Sequence, residues 1–369
     1  MSGRTIRWLL ALLRRRGALD RARGGSSRLV IIRHHRVYAQ GERPLNRLGV
    51  SAPVLRAQLE LLERHGLTPV SVLEGWRHLA AGSPGHRVAL SFDDGYADNL
   101  HLALPVLQAT GARATFYLTA GLMERREAPW WDVVEHALEH ARSASLRWTR
   151  GTGAVPIPLG GRVARVRALR TLLPDFRVEP ALRATRLTAL RAAAGVSEST
   201  PCALMTWSEA EALRDAGMEI GAHTLSHPHL SLLDPDQQSL EILGSVELIE
   251  RRLGVRPEGL AYPGGDHDAR TIQAARAAGL IYAVTTRAGD NLPGAPAFEL
   301  RRRGFPEGAC LGPGGRFSPQ LAMAELDGAF DSLRAGRDTQ LERGARDTEL
   351  ERGAGDTQLE RGAVTQGPS

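Results

Sequence analysis

The sequence contains no lysine: all 47 basic residues among its 369 residues are arginine. Alanine is also abundant, so a coding bias explains this composition as readily as selection for an acidic partner. The formal net charge of +6 and the pI of about 10.1 are features of many nucleic-acid-binding proteins. However, most of the arginines are scattered, and no nucleic-acid-binding motif accompanies them. We therefore expect no nucleic-acid partner.

Cysteines and long apolar runs are scarce as well. Cys202 and Cys310 form neither a CxxC motif nor a disulfide framework, which fits a reducing compartment. No apolar run approaches the roughly 20 residues of a membrane span, and residues 8–13 are too short for a signal-peptide core. We predict a cytoplasmic protein with a basic leader over residues 1–27. That leader is either a frayed segment, which we favour, or an amphipathic helix in peripheral contact with the inner membrane surface.

Strand-like and helix-like segments alternate between residues 28 and 305. This alternation predicts a mainly parallel sheet with crossover helices, and about seven such units suit a barrel. Residues 121–205 interrupt the alternation with helix-like stretches, and we interpret them as an insertion that flanks one face. Residues 306–333 would be a C-terminal extension. Residues 334–369 carry a highly charged nine-residue repeat, which predicts a disordered tail.

Capping signals predict where several helices begin. Thr206 and Glu209 have the spacing of a capping box for a helix over 207–216. Asp234 is the predicted N-cap of a long helix that reaches about Leu253.

Two adjacent carboxylates, Asp93 and Asp94, follow the apolar segment 87–90 and precede Gly95. Neighbouring like charges are costly unless a cation offsets them, and a bound divalent metal is the usual solution. Adjacent side chains at a strand end point in different directions, so one can hold a metal while the other handles protons. For an isolated Asp-Asp-Gly, however, a solvated turn is the plain alternative.

A histidine pair follows another predicted strand, residues 218–221. His223 and His227 have four-residue spacing, which on a helical turn places both imidazoles on one side. Two neutral imidazoles with one carboxylate form a facial set that leaves coordination positions open. Such a site lowers the pKa of bound water and polarises a carbonyl, which indicates a metal hydrolase. We expect His229 to be structural, because Pro228 redirects the chain.

These motifs resemble those of the polysaccharide deacetylases with the NodB homology domain, carbohydrate esterase family 4. Residues 91–95 (Ser-Phe-Asp-Asp-Gly) match the family's first motif, T-F-D-D-G. Residues 223–227 (His-Thr-Leu-Ser-His) match the second motif, H-[ST]-x-x-H, without a gap. The resemblance covers roughly residues 28–305. Several flanking segments are similar to one bacterial branch of the family, among them residues 35–37, 114–117, 204–207, 261–263 and 284–287.

The resemblance implies a distorted (β/α) barrel with about seven parallel strands. It also implies a divalent metal, typically zinc, held by Asp94, His223 and His227. Asp93 would be the general base that takes a proton from water on the metal. The implied reaction removes N-acetyl groups from an amino-sugar polysaccharide or a lipid-linked glycan, with acetate and a free amine as products. The implied partner is an N-acetylated glycan of the cell envelope.

Two further motifs of the family are altered here. The third, R-x-P-Y, reads Ala-Tyr-Pro-Gly over residues 261–264, so the arginine that orients the base is missing. The fifth supplies a general-acid histidine within L-x-H, but the matching residues 300–302 read Leu-Arg-Arg. Arginine is a poor proton donor, since its pKa lies above about 12, although it could stabilise an oxyanion. His35, at the end of the first strand, is our candidate for the general acid. His267 is the next candidate, although we favour a surface-loop position for it.

Because of these departures, two other functions stay open. One is a metal-binding but catalytically weak carbohydrate-binding protein. The other is a hydrolase of the same fold that acts on a small amide or cyclic imide. The reaction product distinguishes the three functions. A deacetylase releases acetate, a binding protein releases no product, and a hydrolase of small amides or imides releases ammonia or opens a ring.

Overall fold

The computed structural model describes residues 27–150 and 153–331. The predicted basic leader, except for Ser27, and the predicted repeat tail lie outside the described residues. No helix within the described residues has both the length and the apolar character that a membrane crossing requires.

The described chain alternates strands and helices as the sequence predicts. The strands are β1 (Arg28–His34), β2 (Arg36–Tyr38), β3 (Gly49–Ser51), β4 (His86–Phe92), β5 (Ala114–Leu118), β6 (Ser145–Arg150), β7 (Gly153–Pro158), β8 (Glu219–Ala222), β9 (Gly259–Ala261), β10 (Tyr282–Val284) and β11 (Arg303–Gly304). The α-helices are α1 (Ala52–Arg64), α2 (Val72–Ala80), α3 (Leu104–Ala109), α4 (Ala120–Arg125), α5 (Trp130–Glu139), α6 (Arg162–Leu172), α7 (Pro180–Ala194), α8 (Trp207–Asp215), α9 (Pro235–Leu253), α10 (Ala269–Ala277), α11 (Glu307–Cys310) and α12 (Pro319–Leu326).

Seven strands form one parallel sheet in the order β10-β9-β8-β5-β4-β1-β11. The segment 300–304, which ends in the edge strand β11, contacts the opposite edge strand β10 as well as β1, the neighbour of β11. At β10, the Thr285 amide donates to the Leu300 carbonyl at 2.8 Å. At β1, Arg303 pairs with Ile32. The sheet therefore curls into a distorted barrel whose edges this segment joins, and the predicted (β/α) barrel with about seven parallel strands is confirmed.

Side-chain alternation divides each strand between the barrel interior and the surrounding helices. In β1, Leu29 and Ile31 belong to the interior cluster, together with Tyr117 of β5. Helix α2 covers the amino-terminal end of this interior: the backbone amide of its first residue, Val72, donates to Thr115 at the start of β5. The carboxyl-terminal end of the strands is left for polar side chains, as is general in parallel α/β folds.

The insertion has a hydrophobic core of its own, built around Phe176 and Trp148. The prediction of helices is right for α5, α6 and α7, but it missed an antiparallel hairpin between β6 and β7. The hairpin is amphipathic only in part: β7 buries a single residue, Ile157, and contains two prolines. Prolines inside a run argue against a strand, so β7 carries no strand signal in its sequence.

Candidate metal and catalytic site

The two carboxylates at the carboxyl end of β4 are both buried, at 2% exposure each. Asp94 has a φ of 79° and Gly95 a φ of 83°. A left-handed conformation is costly for a residue with a Cβ, and such strain concentrates at functional sites. The turn separates the two side chains, because Asp94 faces the loop after β8 while Asp93 faces Arg302, just before β11. As expected for adjacent side chains at a strand end, the two carboxylates therefore have different partners.

Asp94 lies beside both predicted histidines. Its Oδ1 atom is 3.4 Å from Nε2 of His223 and 3.6 Å from Nε2 of His227, and the three candidate ligand atoms lie within 4.8 Å of one another. Asp94 Oδ1 is buried and has no hydrogen-bond partner. A buried carboxylate oxygen without a partner is costly, and a cation between these atoms would remove that cost. One carboxylate and two imidazoles are a donor set that suits a divalent metal, so these residues fit the implied ion.

The two imidazoles are oriented by different means. Nδ1 of His223 lies 2.6 Å from the Ala261 carbonyl, which can only accept, so Nδ1 carries the proton and Nε2 offers its lone pair. His227 packs edge-on against Trp131, with ring centroids 4.4 Å apart. Burial lowers the pKa of His227 well below its ordinary value, and the neighbouring His223 lowers it further. A neutral imidazole is the form that binds a metal.

The histidines do not share a helical turn, so that part of the prediction is wrong. Residues 223–229 form a loop in which Thr224 and His227 have positive φ values of 65° and 56°. Glu241 of α9 holds this loop: it accepts hydrogen bonds from the backbone amides of Leu225 and Ser226, each at 2.9 Å. The two left-handed residues, and not helical periodicity, bring the imidazoles together.

Asp93 forms a bidentate ion pair with Arg302, with Nη1 to Oδ1 at 2.6 Å and Nη2 to Oδ2 at 2.8 Å. Arg302 is 1% exposed and is itself fixed by donation to the Thr285 carbonyl at 2.9 Å and to Ser91 Oγ at 3.1 Å. Burial acts to raise the pKa of Asp93, but Arg302 above all, with His223 and His35, outweighs it and holds that pKa below its usual range. Asp93 is therefore an ionised carboxylate with a fixed orientation.

Sequence reasoning missed this role of Arg302. It assigned the residue to the altered fifth motif and regarded the base-orienting arginine as lost with residues 261–264. The structure supplies that arginine from the segment before β11. The sequence offers only a partial signal: Arg302 lies two residues after the apolar Leu300, and alternation would place both on one face, but nothing local identifies Asp93 as the partner.

Only one of the two candidate acids lies next to Asp93. His35 Nε2 is 3.9 Å from Asp93 Oδ2, and its side chain is 24% exposed. Burial lowers the pKa of His35, whereas Asp94 and Asp93 act to raise it. His267 instead stacks on Tyr262 with ring centroids 4.6 Å apart, and its side chain is 5% exposed. The surface position expected for His267 is therefore wrong, and the role of His35 as the acid stays a prediction.

The insertion forms one wall of the site. Trp131 of α5, which contacts His227, donates from its indole nitrogen to the Tyr96 hydroxyl at 2.6 Å. Tyr96 in turn donates to Asp132 at 3.0 Å. Burial raises the pKa of Asp132 to about 7. From α7, the buried Arg183 donates to the backbone carbonyl of His227 at 3.4 Å. The sequence placed the insertion beside one face of the fold but gave no sign of these contacts with the metal-ligand loop.

Comparison with known proteins agrees with this geometry. The family model for polysaccharide deacetylase matches residues 80–146 and 176–283. Among curated proteins, none matches the chain. Similar solved structures include the deacetylase PplD from Streptococcus pyogenes in complex with acetate, at 18% identity and a TM-score of 0.54 over 82% of this chain and 99% of that one.

Two other solved structures are similar over comparable lengths. A polysaccharide deacetylase from Bacillus cereus is 16% identical, with a TM-score of 0.51 over 82% of this chain and 69% of that one. IcaB from Ammonifex degensii is 18% identical, with a TM-score of 0.51 over 81% of this chain and 97% of that one. At these identities the likeness concerns the fold. The matched family model shows that the chain belongs to the polysaccharide deacetylase family, whose members are hydrolases acting on carbon–nitrogen bonds.

Proposed function

We propose that this protein is a metal-dependent N-deacetylase that releases acetate from an amino-sugar polysaccharide or a lipid-linked glycan. One observation carries the proposal: the ionised Asp93 lies next to Asp94, whose Oδ1 faces His223 and His227. A carboxylate base beside a set of metal donors suits the hydrolysis of an unactivated amide.

A divalent cation, which we expect to be zinc, would be held by Asp94, His223 and His227 and would supply a Lewis acid for the acetamide carbonyl. Asp93 accepts the proton of the attacking water, and Arg302 keeps that carboxylate ionised and aimed. Because Arg302 outweighs burial and holds the pKa of Asp93 below its usual range, the carboxylate is ionised at neutral pH and has no proton of its own to lose first. In this proposal His35, whose Nε2 lies 3.9 Å from Asp93 Oδ2, would deliver a proton to the departing nitrogen.

The test is release of acetate from N-acetylated chitooligosaccharides and from bacterial envelope glycans by metal-loaded protein. We expect release by the wild type and none by Asp93→Asn, which keeps the shape of the side chain and removes its charge. Absence of release above that control on every substrate would overturn the proposal. Tight glycan binding without turnover would then identify a catalytically weak carbohydrate-binding protein, and release of ammonia a hydrolase of small amides or imides.

A further inference from the structure

Arg33 lies on the interior face of β1, at the mouth of the barrel. It pairs with Ser91 of β4 and with Gly304 of β11. Paired residues of parallel strands face the same side, and so do residues two apart on one strand. Asp93 follows Ser91 by two residues and Arg302 precedes Gly304 by two, and these two side chains meet in the interior. The Arg33 side chain therefore enters the same space.

The Arg33 guanidinium has no partner. Within residues 27–150 and 153–331 it makes no ion pair and no hydrogen bond, and its Nε atom is buried. Gly304 leaves room for it, since Nη2 of Arg33 lies 3.7 Å from the position that a Cβ of Gly304 would occupy. Burial, followed by the charge of Arg302, lowers the pKa of Arg33 to about 10, so it is charged at neutral pH. A partly buried guanidinium without a counter-ion is costly.

The nearby carboxylates are committed elsewhere. Both oxygens of Asp93 are taken by Arg302. Oδ1 of Asp94 faces the two histidines of the metal-ligand set. Arg33 is therefore a positive charge near Asp93 and Asp94 that forms no ion pair within the described residues, and an anionic group of the ligand would supply one.

We propose that Arg33 binds an oxyanion group of the substrate, a carboxylate or a phosphate next to the acetamide, so that the protein prefers acidic N-acetylated glycans to neutral ones. This inference rests on the proposed function and specifies its substrate class. Guanidinium pairs with carboxylate and with phosphate through two parallel hydrogen bonds, which gives both affinity and orientation. A neutral polymer would leave the charge of Arg33 unpaired.

The test compares three oligosaccharides of matched length. One contains N-acetylglucosamine alone, one alternates it with glucuronate, and one carries a phosphate monoester. Dissociation constants are measured with the full chain in the presence of a chelator, which prevents turnover. We expect at least one acidic oligosaccharide to bind about 10- to 100-fold more tightly than the neutral one. Whichever acidic ligand binds more tightly identifies the oxyanion as carboxylate or phosphate.

Variants test whether Arg33 causes the preference for acidic oligosaccharides. Arg33→Gln should abolish it while leaving the affinity for the neutral oligosaccharide unchanged, and Arg33→Lys should retain part of it. Arg301→Gln, at an exposed neighbouring arginine, should behave as the wild type. With metal-loaded protein, Arg33→Gln should raise KM for the acidic substrate and leave kcat near normal. Thermal melting shows whether each variant is folded, and Arg33→Lys serves if Arg33→Gln is not.

Two results would overturn the inference: equal wild-type affinities for the neutral and both acidic ligands, or an Arg33→Gln variant that weakens all three alike. A preference that depends on Arg33 without any acetate release would uphold the anion site and refute the deacetylase proposal. Acetate release without a preference for acidic ligands would uphold the deacetylase proposal and refute the anion site.

Discussion

Arg302 and Asp93 form a bidentate, fully buried ion pair across the barrel interior, with Nη1 to Oδ1 at 2.6 Å and Nη2 to Oδ2 at 2.8 Å. The family's third motif, which normally supplies an arginine to the base, lacks it in this chain. An arginine near the carboxyl-terminal end of the predicted domain occupies that place, 209 residues from its partner. The altered motif therefore does not leave the base unsupported, which is the main structural argument for an active enzyme.

Replacement of Arg302 tests this pair. Arg302→Gln removes the counter-charge of a buried carboxylate, and breaking a buried pair in this way costs about 3–5 kcal/mol. We expect the free energy of unfolding in urea to fall by that amount, and acetate release to fall about 100-fold or more because the base is no longer held. Arg301→Gln, one residue earlier and exposed, should change neither. Wild-type stability in Arg302→Gln would show that the pair is not maintained in solution.

The metal-ligand assignment predicts which histidines control metal content. His223→Ala removes one of three donors that lie within 4.8 Å of one another, so metal stoichiometry should drop from about one to near zero by elemental analysis. His229→Ala removes a histidine of the same loop that is outside this set and should retain the metal. Equal metal content in both variants would refute the assignment.

The position of His35 predicts a loss of turnover without loss of metal. His35→Gln removes the titratable ring that lies 3.9 Å from Asp93, and we expect kcat to fall about 100-fold with normal metal content. His267→Gln is the matched control, because that ring stacks on Tyr262 instead. If turnover fell only in His267→Gln, the general acid would have to be reassigned.

Asp132 predicts a pH dependence of stability. Its pKa rises from an ordinary 3.8 to about 7 because the carboxyl is buried, so the folded state binds its proton more tightly than the unfolded state does. The resulting stabilisation is complete below about pH 4 and is lost as the pH rises to about 7, up to roughly 4 kcal/mol. Asp132→Asn should flatten the decline of unfolding free energy over this range, whereas Asp236→Asn, at an exposed position, should not. Parallel declines in the wild type and Asp132→Asn would contradict the assignment.

Much of the fold follows from local signals in the sequence. The capping box of Thr206 and Glu209 begins α8 one residue after Thr206, as predicted. Asp234 caps α9, which ends at Leu253. Both signals are reliable because the hydrogen bonds that they describe join residues only three positions apart. The adjacency of Asp93 and Asp94 likewise predicted their separate partners, since neighbouring side chains at a strand end diverge.

The features of the site that could not be predicted depend on contacts between residues that are distant in the sequence. The pairing of Arg302 with Asp93 requires knowledge of which strands lie near one another, because the two residues are 209 positions apart. The approach of Trp131 to His227 requires the docking of the insertion on the barrel. The left-handed conformation of Thr224 and His227 has no sequence marker, because neither position is a glycine. These features complete the site, and they depend on tertiary structure, which local sequence patterns do not specify.

The most direct test of the account is removal and return of the metal. The wild-type chain is treated with a chelator, dialysed, and assayed for acetate release from an N-acetylated glycan before and after addition of one equivalent of zinc. We predict no release by the metal-free protein, recovery on addition of zinc, and no recovery in Asp93→Asn. Acetate release that persists unchanged in the metal-free wild type would contradict the central claim.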